Sequence, residues 1–162
     1  MKAKELSDYS VCTTWGIQGE QYFLRNVFRK KLEYPDLKRA VIEQAMLFQV
    51  NTLLIEDAAA GSQLIQELKR DGTFPIEAIV PHKDKVSRLY GQTGMIEAGR
   101  VFLPHQAGWL DDYLNEIMAF PKAKHDDQVD STSQFLAAMA QPSSAANWLA
   151  YYKELSEAAQ RS

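Results

Sequence analysis

His125-Asp126-Asp127-Gln128-Val129-Asp130 places three carboxylates and an imidazole within six residues, at what reads as a helix start. Asp127 and Asp130 are three apart and share one helix face. A further acid, Glu56, ends the apolar run Asn51-Thr52-Leu53-Leu54-Ile55, and the carboxyl end of a buried strand is where open α/β sheets place ligand sites. Acids at a strand end and at a helix start suit Mg2+ or Mn2+, hard cations that take oxygen ligands; two of them can clamp the attacking and leaving oxygens of a phosphodiester. Two carboxylates about 4 Å apart repel by about 4 kcal/mol at an effective dielectric of 20, a cost that a cation removes. Asp126 competes with Asp127 as a ligand. The plainer alternatives are that Asp126 and Asp127 answer the positive end of the helix dipole, and that Glu56 or Asp57 caps the following helix.

Cations flank these acids. Lys83, Lys85 and Arg88 follow the strand that ends at Pro81, and Lys122 and Lys124 precede the acid cluster. Beside a metal site such residues neutralise backbone phosphates of DNA; elsewhere they make a solvated basic surface. His125 could touch a phosphate or orient a ligand, or simply cap a helix. Gly61 either permits close backbone approach to the strand of Glu56 or only opens the next helix.

The elements that must position these groups follow from periodicity. Tyr9 to Ile17 and Tyr22 to Phe28 alternate around Gln18-Gly19-Glu20, which predicts an antiparallel hairpin. A helix runs from Tyr34 to about Phe48, with Leu37, Val41, Met46 and Phe48 as its buried stripe. Short strands over 51–55, 76–80 and 100–103 alternate with helices over 58–70, 84–98 (broken near Gly91 and Gly94), 109–119, 126–139 and 145–160. Val129, Leu136 and Met139 turn towards the core, as do Trp15, Tyr22, Phe23 and Phe28, while Trp148, Tyr151 and Tyr152 pack a terminal helix or form a partner-binding stripe. This order argues a mixed sheet flanked by helices, an α/β fold.

Composition narrows the function. The 162 residues suit one domain with a substantial core, and a net charge of −3 excludes a broadly basic nucleic-acid binder. One cysteine, Cys12, excludes an internal disulfide and a thiolate metal cluster. No apolar run approaches a membrane span and no signal peptide opens the chain, so a cytoplasmic location is expected. No Gly-x-x-x-x-Gly-Lys-Ser/Thr loop is present to cradle ATP.

Several blocks together resemble the C-terminal nuclease domain of phage terminase large subunits. They are Glu5 to Gly16, Leu54-Ile55-Glu56-Asp57-Ala58-Ala59-Ala60-Gly61-Ser62-Gln63-Leu64, Lys83-Asp84-Lys85-Val86-Ser87-Arg88, Ile96 to Pro104, and His125 to Asp130. The resemblance spans about residues 5 to 141, with 142–162 as a C-terminal helical extension. It implies an RNase H-like fold and a two-metal endonuclease that cuts concatemeric viral DNA during packaging. Glu56, Asp127 and Asp130 would be catalytic, Asp126 a further metal ligand, and Lys83, Lys85, Arg88, Lys122, Lys124 and His125 DNA contacts. It also implies double-stranded DNA, the terminase ATPase domain, the small terminase subunit and the portal as partners.

In the family, a central strand bearing the first catalytic Asp precedes the segment matching Lys4 to Trp15. Asp8 matches a turn residue and does not replace it. The expectations are an RNase H-like sheet lacking its first central strand, rearranged or self-associating through an exposed edge, and weak or single-metal binding with impaired cleavage. The alternative is a non-catalytic prophage remnant or assembly fragment that keeps only the fold.

Overall fold

The computed structural model describes residues 9–80, 84–141 and 154–161. Alternation builds the first two elements: β1 (Ser10–Gln18) and β2 (Gln21–Lys30) pair antiparallel. Gly19, at φ 60°, makes the left-handed turn that joins them. Thr14 pairs with Asn26 but Trp15 with Leu24, so Arg25 is an extra residue on β2. This bulge switches the phase of the strand, and Tyr22, Leu24 and Val27 are all buried although their spacing is not regular. The helix α1 (Tyr34–Leu47) follows, started by Pro35. Its buried face runs through Tyr34, Val41, Ile42 and Ala45. The expected stripe is corrected there: Met46 is 65% exposed, because Ala45 takes the inward position and the next residue is turned about 100° away.

β3 (Leu53–Glu56), α2 (Ala60–Asp71) and β4 (Ile76–Ile79) form a parallel β-α-β unit, with Leu53 opposite Ile76 and Glu56 opposite Ile79. Leu53, Leu64 and Leu68 close its core against α1. Two short helices, α3 (Lys85–Tyr90) and α4 (Thr93–Glu97), are separated at Gly91 and Gln92. The two-residue β5 (Val101–Phe102) pairs parallel with β2, and α5 (Leu110–Ala119) and α6 (Asp127–Ala140) complete the body.

Among the described residues the strands divide into a three-stranded sheet, β1-β2-β5, and a two-stranded sheet, β3-β4. No ladder joins β1 to β3. What joins them is α6. Phe135, Leu136 and Met139 form one core cluster with Tyr22 and Met95, and Trp15 and Ile17 of β1 and Leu54 of β3 all pack against it. Phe135 stacks on Trp15 with centroids 4.5 Å apart. The fold is therefore a mixed α/β arrangement with helices on its faces, and α6 is the piece that both sheets share.

Residues 81–83 and 142–153 lie outside the described residues, and with them Lys83, Trp148, Tyr151 and Tyr152 and most of the expected final helix. Residues 154–161 are helical and exposed. No described helix is long and apolar enough to cross a membrane.

Candidate active site

Glu56 is fixed through its backbone. The next residue, Asp57, donates its N–H to the Ile79 carbonyl at 2.8 Å, and Ala58 donates to the Glu56 carbonyl at 2.9 Å. The chain then turns into α2 so closely that a Cβ on Gly61 would stand 2.1 Å from the Glu56 carbonyl oxygen. Gly61 is thus a close-approach residue, not merely a helix opener. Ala59 sits at φ 50°, ψ −128°, a region that residues with a Cβ rarely adopt and that costs about 1–3 kcal/mol. The N-cap of α2, Ala59, receives no side-chain hydrogen bond. The Asp57 carboxylate instead accepts the Ser62 hydroxyl at 2.7 Å. The Glu56 side chain is exposed at the strand end.

The start of α6 is capped from another helix. Asp126 occupies the N-cap position, yet its side chain makes no cap hydrogen bond. Glu116 of α5, 7% exposed, accepts the Val129 N–H at 2.8 Å and the Gln128 side-chain amide at 3.1 Å. An acid reaching in from α5 thereby satisfies a donor that the first turn of α6 would otherwise leave orphaned. Further down α6, Thr132 meets the Tyr113 hydroxyl at 2.9 Å and Ser131 meets Thr13 of β1 at 2.7 Å. These polar contacts set the rotation of α6, with Val129 and Leu136 fully buried.

With Glu116 as the cap, the Asp126 carboxylate turns elsewhere. Lys85 Nζ stands 2.9 Å from Asp126 Oδ1 and 2.8 Å from Asp130 Oδ2. Arg88 holds the other oxygen of Asp130 at 2.9 Å, and its Nε reaches the Ser133 hydroxyl at 3.3 Å. Lys85 and Arg88 lie three apart on α3, so one face of that short helix meets one face of α6. The pairs differ in setting: Arg88 is 8% exposed, whereas half of the Lys85 side chain meets solvent. Burial alone would lower the Lys85 pKa, but the hydrogen bonds it donates to Asp130 and Asp126, and their charges, outweigh it and hold the ammonium well above its ordinary value.

The remaining cations lie on the other side of the α6 start. Lys122 and Lys124 are exposed. His125 stands edge-on to Tyr9 with centroids 5.1 Å apart, and the Arg29 guanidinium lies 3.7 Å from the centre of the same ring. Arg29, Asn115, Lys124 and His125 border a pocket of about 230 Å³ that also exposes Glu116 and Gln128.

The sequence-derived site is therefore gathered in part. Asp126 and Asp130 converge on one cation position, and Asp127 begins α6 beside them, half-buried. Lys85 and Arg88, read as DNA contacts, are turned onto the acids. Among the described residues no three His, Cys, Asp or Glu side chains stand close enough to hold a metal ion, so Glu56 does not complete a ligand set with Asp127 and Asp130. The donor chemistry fits a hard divalent cation, since every candidate donor is a carboxylate oxygen; the number of gathered donors falls short of a full set. Glu116 escaped sequence reasoning because a mid-helix glutamate carries no local sign of a distant partner.

A mixed set of strands bridged by an acid-bearing helix, with a further acid at a strand end, is consistent with an RNase H-like architecture. Residues 2–139 match the family described as the terminase RNaseH-like domain, and the chain belongs to that family. No curated protein matches it.

Proposed function

We propose that this domain serves as the endonuclease unit of a phage terminase large subunit, cutting concatemeric duplex DNA with Mg2+ or Mn2+ during genome packaging. The observation that carries this reading is the convergence of Asp126 Oδ1 and Asp130 Oδ2 on a single cationic atom at the start of α6, in a chain of this family. When bound, the metal would supply Lewis acidity and an activated water. Asp126, Asp127 and Asp130 are the ligands offered by α6, and Glu56 is the ligand offered by β3. Lys122 and Lys124, both exposed, and His125, half-buried against Tyr9, bind the DNA backbone beside the acids. The terminase ATPase domain, the small subunit and the portal are the partners that this role requires.

Two gathered carboxylates favour weak, single-metal binding and slow cleavage by this chain alone. That same shortfall, with Lys85 and Arg88 already neutralising the acids, also favours a second reading: a fragment that keeps the fold and its surfaces but not the chemistry. Incubation of the purified chain with supercoiled plasmid and Mn2+ separates the two. Slow nicking that disappears in Asp130→Asn and in Glu56→Ala supports the nuclease. Nicking that survives both substitutions removes these acids from the reaction, and complete inactivity favours the second reading.

A further inference from the structure

We infer that the end of β2 and the loop before α6 form one binding surface for the phosphate backbone of duplex DNA, with Arg29 and Lys31 as its contacts from β2 and Tyr9 as the ring that gathers them. The inference deepens the nuclease reading above and rests on it, adding a second chain segment to the cations of residues 122–125.

The two segments meet at one side chain. The Arg29 guanidinium lies 3.7 Å from the centre of the Tyr9 ring and the Lys31 ammonium 5.0 Å from it, both within cation–π range. His125 meets the same ring edge-on at 5.1 Å, and Lys124 borders one pocket with Arg29 and His125. Like charges gathered in this way repel, and a polyanion removes that cost. Among the described residues none of Arg29, Lys31 and Lys124 is ion-paired with an acid, whereas Lys85 and Arg88 are both turned onto the acids of α6. Lys31 and Lys124 are exposed, and a guanidinium held against a ring keeps its forked donors oriented for a phosphate. Tyr9 is already engaged by two cations and an imidazole, which favours phosphate contact over stacking of unpaired bases.

Two acids also border the pocket. Glu116 is buried, and its carboxylate is taken up by the Val129 N–H and the Gln128 amide. Asp112 is exposed in the first turn of α5 and opposes an anion, so the phosphates lie over the Tyr9 side rather than inside the pocket. His125 faces that side, while its neighbour Asp126 turns to Lys85 on α3. DNA held there runs beside the acids without displacing their partners.

Fluorescence anisotropy of a short labelled DNA duplex with the full 162-residue chain in EDTA, from about 50 to about 200 mM salt, reads the contacts. Each neutralised phosphate adds about 0.9 to the slope of log affinity against log salt, which is worth about 15-fold in affinity at about 50 mM relative to 1 M. Arg29→Gln combined with Lys31→Gln is expected to lower the slope by about 2, and Arg29→Lys to retain it. Asp112→Asn is expected to tighten binding. Lys69→Gln combined with Arg70→Gln removes the same charge from the exposed end of α2 and is expected to leave the slope unchanged. Lys31→Gln alone, with a slope lower by about 1, serves if the Arg29 variants fold poorly, and circular dichroism verifies each fold. An unchanged slope in the folded β2 variants, or an equal loss in the α2 variant, overturns the proposal while leaving the nuclease reading intact. Absence of duplex binding by the unmodified chain at about 50 mM salt overturns both.

Discussion

Replacing Glu116 by alanine removes the cap of α6 without touching α6 itself. The carboxylate is 7% exposed and accepts two hydrogen bonds, from the Val129 N–H at 2.8 Å and the Gln128 amide at 3.1 Å. Hydrogen bonds to a charged group contribute about 1.5–3 kcal/mol each, and loss of an N-cap costs about 0.5–2 kcal/mol. These figures overlap, since one carboxylate serves both donors and the Val129 bond is itself the cap. We therefore expect a loss of about 3 kcal/mol in Glu116→Ala, and about 1 kcal/mol in Glu116→Gln, which keeps a neutral acceptor. For a chain of this size, about 3 kcal/mol lowers the melting temperature by roughly 6–12 °C. Urea unfolding followed by far-UV circular dichroism measures the difference. There is a second consequence. Without Glu116, Asp126 is the nearest acid able to cap α6, and in doing so it would leave Lys85. Loss of stability should therefore be accompanied by altered cation binding at the acid pair. An alanine variant within about 0.5 kcal/mol of the unmodified chain, the scatter of an ordinary surface substitution, would refute the capping argument.

Two other substitutions probe separate parts of the structure. Gly61→Ala would normally gain about 1 kcal/mol of helix propensity, but its Cβ would meet the Glu56 carbonyl at 2.1 Å, so a net loss of about 1–3 kcal/mol is expected; an increase in the urea midpoint would show that the approach is not tight. Glu67 accepts from Gln63 and pairs with Lys38 at 3.0 Å each, which holds its carboxyl down to about 2. A depressed folded-state value means that its contribution is present above the ordinary glutamate range, near about 4.3, and is lost as pH falls towards the folded value. Glu67→Gln should flatten that part of the acid-unfolding profile, and an unchanged profile would count against the coupling of α1 to α2.

Much of this fold is legible in local patterns because local physics decides it. Gly19 and the alternation around it specify the hairpin, Pro35 the start of α1, Gly72 the left-handed end of α2, and Gly91 the break between α3 and α4. Leu136 and Met139 were placed in the core by helical spacing alone, and both are buried. The misplacement of Met46 has a local cause too: the apolar residues of α1 outnumber the positions its buried face provides, and Ala45, packed in one cluster with Leu53 and Leu64, takes the inward position.

Nothing local announces the rest. Lys85 and Asp126 are 41 residues apart and Arg88 and Asp130 are 42 apart, so a basic segment that resembles a DNA contact can equally be the counter-charge of a distant acid pair. Glu116 resembles any helix glutamate until α6 is packed beside it. The three acids of residues 126–130 are visible as a group, but which two share a cation depends on where α3 lies, and α3 meets α6 through contacts of Lys85 and Arg88 with Asp126, Asp130 and Ser133 that the acid motif does not announce. The division of the strands between two sheets is likewise a matter of ladder partners, which alternation within a strand does not specify.

The most direct test is to soak crystals of the chain in MnCl2 and locate the metal by anomalous scattering. A metal-dependent nuclease predicts a peak about 2 Å from carboxylate oxygens at the start of α6. A peak bound by other residues, or no peak with the lysine still bridging the two aspartates, would contradict it.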